Sequence, residues 1–185
     1  MILLVSVCKE KLHELEFVKP IEDTLRKEKI PFFTKHYVEL SKGDLANASK
    51  VIICGTSLQD NEFARRVNLK CFNWIRDFNK PLLGICAGMQ IIGLVNGGKV
   101  KKKTEIGFFN EKFDQSFLAL NGFQEVWHLH NNSINFSKLK NFDVVCSGNG
   151  ISQAVKSREK EIYGVLFHPE VRNKNLILEF VKKKA

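Results

Sequence analysis

Leu82-Leu83-Gly84-Ile85-Cys86-Ala87-Gly88-Met89-Gln90 is the stretch on which the reading of this chain turns. Leu82 to Ile85 is a short apolar run of the kind that forms a strand buried on both faces. Met89 to Leu94 continues as helix, and the small residues from Gly84 to Gly88 make the turn between them. Small residues on either side of a cysteine in such a turn suit a nucleophile elbow, where the nucleophile sits on a strained backbone with no room for bulk nearby. That geometry would push the thiol out of the fold at a helix N-terminus, where amide groups and the helix dipole favour thiolate. Taken alone, the pentapeptide fits a buried structural cysteine as well as a nucleophile.

Working outward, Ile2 to Val7 is expected as a strand and Glu10 to Lys29 as an amphipathic helix. Phe32 to Val38 can return as a strand, and Val51 to Cys54 is another continuous apolar run, ending at Gly55. A second helix is expected over residues 61–78, stopped by Pro81. This alternation predicts an α/β fold, doubly wound, with a mostly parallel central sheet and helices on both faces. After Gly98 the pattern shifts to short strands at Lys99 to Lys103, Glu125 to His130, Val144 to Ser147 and Gln153 to Lys156. A further apolar run, Tyr163 to Phe167, and a closing helix, Asn173 to Lys183, complete a strand-rich C-terminal half. In the helix, Leu176, Leu178 and Val181 are available to pack. There is no internal repeat, low-complexity tract or linker, so residues 1–185 are expected to form one domain.

The chain carries 29 Lys and Arg against 20 Asp and Glu, a formal charge of +9. The lysines gather at Lys99 and Lys101 to Lys103 and again at Lys182 to Lys184, without a nucleic-acid-binding module between them, so solvated faces are expected rather than nucleic-acid contacts. Five scattered cysteines with no CxxC pair suggest neither a disulfide framework nor a zinc ribbon and fit a reducing cytoplasm. The opening MILLVSV has no basic segment before it and meets Lys9 and Glu10 too soon for a secretory signal. No stretch is expected to span a membrane.

A second chemical signal is Gly164-Val165-Leu166-Phe167-His168-Pro169-Glu170. It puts a histidine just beyond an apolar strand, with a carboxylate two residues on. Histidine can accept the thiol proton and return it to a leaving amine, while the carboxylate fixes its tautomer and orientation. A rival use of the histidines is a metal site. His128 and His130 have strand spacing that puts both on one face, and His168 and Glu170 could add ligands. That reading leaves the GxCxG turn unexplained, so neither metal nor cofactor is expected.

Together, GICAGMQ and FHPE resemble the elbow and the C-terminal segment of the class I, triad-type glutamine amidotransferases, in motif order and in spacing over nearly the whole chain. The resemblance implies Cys86 as nucleophile, His168 as general base and acid, and Glu170 as the orienting carboxylate. It implies that L-glutamine is hydrolysed through a cysteinyl thioester to glutamate and ammonia, with Gln90 contacting the substrate and the Ala87 amide helping to hold the oxyanion. Gly55 resembles the start of the second oxyanion loop, whose donor would lie among Gly55, Thr56 and Ser57. His130, Asn131 and Asn132 resemble the segment that receives the substrate's amino-acid end. Glu105 and Gly107, in TEIGFF, resemble a structural turn after the elbow helix.

The chain is too short to hold the synthetase that would consume the ammonia, so a partner subunit is implied. Its small size resembles the separate glutaminase subunit of a GMP synthase. The alternatives are a stand-alone γ-glutamyl hydrolase or cysteine peptidase using the same elbow, and a non-catalytic binding module.

Overall fold

The computed structural model describes residues 1–183, so Lys184 of the expected C-terminal lysine cluster lies outside the described residues. Nine strands follow one another as β1 (Ile2–Ser6), β2 (Phe32–His36), β3 (Lys50–Ile53), β4 (Leu82–Ile85), β5 (Val100–Phe117), β6 (Leu120–Ile134), β7 (Phe142–Gly148), β8 (Ile151–Ser157) and β9 (Ile162–Val165). They form one sheet in the order β2-β1-β3-β4-β9-β8-β7-β5-β6. The first five strands of that order pair in parallel. From β9 outward through β8, β7, β5 and β6 the pairing is antiparallel. The mixed α/β class and the strand-rich C-terminal half follow the sequence reading.

The parallel half is built from runs with no exposed residue: β1, β3, β4 and β9 are buried throughout. Alternation along them feeds two hydrophobic layers, as a period of two requires. Leu4, Ile52 and Leu83 pack with Ile21 and Leu25 of α2 (Lys19–Lys27) and with Leu176, Ile177 and Phe180 of α6 (Lys174–Lys182). Leu3, Val51 and Leu82 face Met89, Ile91 and Ile92 of α5 (Ala87–Val95) on the other side. In α6 the buried stripe is therefore Leu176, Ile177 and Phe180, with Leu178 and Val181 only half-buried at its flank.

Lys50 is the one charged residue in these buried runs. Its ammonium is buried under the C-terminal turn of α6, donating to the Phe180 carbonyl at 2.8 Å and to the Lys183 carbonyl, two of the acceptors that a helix end leaves open. Burial pushes its pKa below the usual lysine value.

Four expected elements take other forms. The segment from Glu10 to Lys29 is not one helix but a 3₁₀ turn at Lys11–His13, α1 (Glu14–Phe17) and α2, with Pro20 in the first turn of α2. Proline has no amide to continue a helix from α1, but suits a helix start. Residues 61–78 form a 3₁₀ turn at Glu62–Ala64, α4 (Arg66–Leu69) and a 3₁₀ segment at Lys70–Arg76. Buried Phe72, Ile75 and Phe78 recur every third residue, the period of a 3₁₀ rather than an α-helix. The short strands expected around Lys99 to Lys103 and Glu125 to His130 belong to a long hairpin, β5 having 18 residues and β6 15.

Candidate active site

Cys86 stands between β4 and α5 with φ 47° and ψ −100°, a left-handed backbone that non-glycine residues rarely adopt. Its flanking glycines make that turn possible. A Cβ on Gly88 would lie 2.3 Å from the Ile53 carbonyl oxygen, and one on Gly84 2.5 Å from the Gly88 carbonyl carbon. The elbow is thus pressed between β3 and its own helix, and only glycine fits at either position. Ala87 opens α5, so its N–H has no acceptor within the helix.

The second segment meets the first from the end of β9. His168 is buried, and its Nδ1 lies 2.7 Å from Glu170 Oε1. The carboxylate accepts, so Nδ1 carries the proton and Nε2 is left without a hydrogen-bond partner. Burial alone would depress the imidazole's pKa. The negative charges of Glu170 and of a Cys86 thiolate outweigh it and hold His168 well above 6.5. The Phe17 ring lies against the imidazole, centroids 5.4 Å apart. The His168 N–H donates to the Trp127 carbonyl at 2.8 Å, and the Cys86 thiol points at the Leu129 carbonyl at 3.7 Å, so β6 braces both segments.

Gly55 sits between the two. A Cβ there would come 2.6 Å from His168 Cε1 and 3.5 Å from Cys86 Cβ, so its side is occupied by the imidazole. The loop that follows Gly55 is tied down by Asp60, which accepts from the Thr56 hydroxyl at 2.9 Å and from the Lys9 amide. Asp60 went unnoticed in the sequence, where it reads as an ordinary loop acid. Its signal was a carboxylate four residues beyond a hydroxyl in a turn.

Cys86, Ala87 and Gln90 line a narrow cleft with Thr56, Asn131 and Asn132, its free volume about 20 Å³, close to that of one or two waters. Gln90 Nε2 donates to the Asn132 carbonyl at 3.0 Å, Asn131 Nδ2 to the Leu58 carbonyl at 3.3 Å and Asn132 Nδ2 to Asn61 Oδ1 at 3.1 Å. These three bonds lace the loop to α5 and β6. His130 also borders the cleft, but its ring is turned into the fold: Nδ1 donates to the Lys103 carbonyl at 3.1 Å and Nε2 lies 3.2 Å from Glu105 Oε2. Burial, then the neighbouring His128, lower its pKa to about 4. The ring is therefore engaged away from the cleft.

Cys86 is buried, as are three of the other four cysteines, so the elbow does not push its thiol out of the fold as expected. Burial pushes the thiols of Cys8 and Cys54 up, and that of Cys146 to about 12, while Cys71 is exposed. Among the described residues, the group able to share an ion is Glu105, His128 and His130, without His168 or Glu170. Glu105 and Gly107 lie within β5, Glu105 buried beside His130, rather than in a turn.

Residues 15–184 match the model of the family described as glutamine amidotransferase class-I. The chain belongs to that family. This class I glutamine amidotransferase is 33% identical over 118 residues to a GMP synthase [glutamine-hydrolyzing] of Staphylococcus saprophyticus, the match covering 59% of this chain and 23% of that protein. To that of Staphylococcus epidermidis it is 34% identical over 112 residues, covering 56% of this chain and 22% of the relative. The amidotransferase thus spans under a quarter of the length of these relatives. Its fold is that of a putative GMP synthase subunit from Thermoplasma acidophilum, with TM-score 0.82, 24% identity and coverage of 97% of this chain and 91% of that one. A glutamine amidotransferase from Thermotoga maritima shares the fold at TM-score 0.71 and 20% identity, over 98% of this chain and 81% of that one. No helix among the described residues is long and apolar enough to cross a membrane.

Proposed function

We propose that this chain is the glutaminase of a two-part synthetase, cleaving the side-chain amide of L-glutamine with Cys86, His168 and Glu170. The observation that supports it most is the convergence on Gly55: a cysteine held at positive φ at a helix N-terminus, beside a buried histidine whose Nδ1 is held by a carboxylate. Cys86 Sγ, its proton taken by His168, attacks the amide carbon. The Ala87 amide and one from the Gly55 loop steady the oxyanion, each such donor being worth about a hundredfold or more in rate. His168 returns the proton to nitrogen as the C–N bond breaks and ammonia leaves. Water, deprotonated by the same imidazole, then attacks the thioester, releasing glutamate and restoring the thiol.

Glu170 keeps the proton on Nδ1 so that Nε2 can shuttle the other. Gln90, Asn131, Asn132 and the His130 backbone form the wall that receives the amino-acid end of the substrate. Free ammonia in neutral water is protonated and loses its nucleophilicity, so the product should pass straight to a docked synthetase. The relatives named GMP synthase favour a partner of that kind.

Intact mass spectrometry after exposure to a glutamine-mimicking electrophile tests the reading. One adduct per chain, blocked by L-glutamine and absent from Cys86→Ala, is expected. Equal labelling of Cys86→Ala would reject the nucleophile, and protection by γ-glutamyl peptides but not by glutamine would make the chain a γ-glutamyl hydrolase.

A further inference from the structure

The hairpin buries a polar cluster behind the cleft. On β6, side chains alternate: His128 and His130 point into the fold, where Glu105 of β5 lies directly across from His130 in the strand register. A break in the β5–β6 register between Lys102 and Glu105 marks the point where Glu105 enters the interior.

Each donor is oriented by a partner behind it. Asn149 Nδ2 and Gln153 Nε2 donate to Glu105 at 2.6 and 2.8 Å. His130 Nδ1 faces the Lys103 carbonyl, which can only accept, so the proton is on Nδ1 and the Nε2 lone pair is free. His128 Nε2 lies 3.2 Å from Glu111 Oε1, which puts its proton on Nε2 and leaves the Nδ1 lone pair free. Glu111 is itself wedged in place, since a Cβ on Gly148 would fall 2.2 Å from its Oε2.

Three electron-rich atoms therefore converge with no proton among them. Glu105 Oε2 is 3.2 Å from His130 Nε2 and 3.9 Å from His128 Nδ1, and the three lie within 4.8 Å of one another. Both ring nitrogens are buried without a hydrogen-bond partner, as is Gln153 Oε1 in the same cluster. Convergent lone pairs repel unless something positive lies between them. Ligand atoms about 2.0–2.1 Å from a tetrahedral zinc are about 3.3 Å apart, so small side-chain shifts would close the set.

We propose that Glu105, His128 and His130 bind one zinc-class divalent ion as a structural clamp at the base of the hairpin. Two imidazoles and a carboxylate select transition ions of that class over magnesium or calcium. The carboxylate behind His128 and the carbonyl behind His130 are the outer partners that metal-bound histidines use. The clamp would fix β6, whose Trp127 and Leu129 carbonyls brace His168 and Cys86. This inference is independent of the glutaminase reading.

The test uses the full chain with Cys71→Ser and Cys86→Ser, so that neither the exposed thiol nor the elbow thiol can bind metal. After chelation, the protein is titrated with Co²⁺ and then with Zn²⁺. The expected result is one Co²⁺ per chain with visible ligand-field bands and no thiolate charge-transfer band, displaced by one equivalent of Zn²⁺. His128→Gln, with unchanged circular dichroism, should lose those bands. A folded chain that develops no bands, or a His128→Gln variant that keeps them, overturns the site and leaves a proton between the groups instead. Should His128→Gln fail to fold, X-ray absorption at the zinc edge decides on the parent chain: two imidazoles in the inner shell support the clamp, and a shell of sulfur or of oxygen alone refutes it.

Discussion

The two halves of the sheet bury opposite kinds of chemistry. Strands β1, β3, β4 and β9 are four or five residues long and buried throughout, almost wholly apolar, and their contribution to the site is backbone: the ends of β3 and β4 hold Gly55 and Cys86. Strands β5 and β6 are long, expose Val100, Ile106, Phe108 and Phe123, and bury Glu105, Glu111, His128 and His130. Parallel strands covered by helices on both faces leave little place for charge, and Lys50, roofed by the end of α6, is the one charged residue in β1, β3, β4 and β9. An antiparallel hairpin with one wet face can carry polar residues inward, provided they satisfy one another. Cys86 and His168 lie on the seam, at the ends of the parallel strands, with the hairpin's β6 laid across them.

The sharpest way to break this division is to disturb the seam chemically. Glu170→Gln should keep the fold but lower glutamine hydrolysis by about 10³–10⁴-fold, because an amide no longer fixes the histidine tautomer. A loss under tenfold would deny Glu170 its role. On the parallel side, Gly88→Ala drives a Cβ against the Ile53 backbone, which cannot yield as a side chain can. A cost of about 3 kcal/mol or more in urea unfolding is expected, and a cost near zero would mean that β3 and α5 are not pressed together as described.

On the antiparallel side the damage should be electrostatic. Gln153→Ala strips one of the donors that hold the buried Glu105 carboxylate below its usual pKa against the opposing effect of burial. Unfolding free energy should fall by about 2 kcal/mol, with little change in labelling of Cys86. The mildest perturbation is acid. His130 titrates near pH 4 when folded against an ordinary 6.5, so between those values the unfolded chain binds the extra proton and stability declines as pH falls. In metal-free protein the urea midpoint should fall further, or rise less, between pH 7 and pH 5 in the parent chain than in His130→Gln, a comparison in which the opposite contribution of the raised His168 pKa cancels. An equal change in the two chains would show that folding does not lower the His130 pKa.

The same division governs what the sequence disclosed. Val51 to Cys54, Leu82 to Ile85 and the GxCxG turn were legible because a doubly buried strand and an elbow tolerate few residue types, so their chemistry is written locally. His168 and Glu170 were legible for the same reason, and the fold brings them to Cys86 and Gly55. The hairpin was not. Its lysines, phenylalanines and acids alternate with no apolar run, so 18 residues of β5 read as fragments, and Glu105 as part of a turn. A buried acid is visible only with its partners, here Asn149 and Gln153 from more than 40 positions away. His130 was assigned to the substrate wall by its place in the chain, while its ring is engaged with Lys103 and Glu105 behind that wall. Likewise, Pro20 and the every-third-residue spacing of Phe72, Ile75 and Phe78 were present in the sequence but overshadowed by overall helical amphipathicity.

Lys50 ties the last turn of α6 to the strand that leads into Gly55. Its ammonium is roofed by the carbonyls of Phe180 and Lys183, and its strand runs directly into Gly55. Trimming the last turn of α6 by a protease would strip that roof and leave a cation facing hydrocarbon.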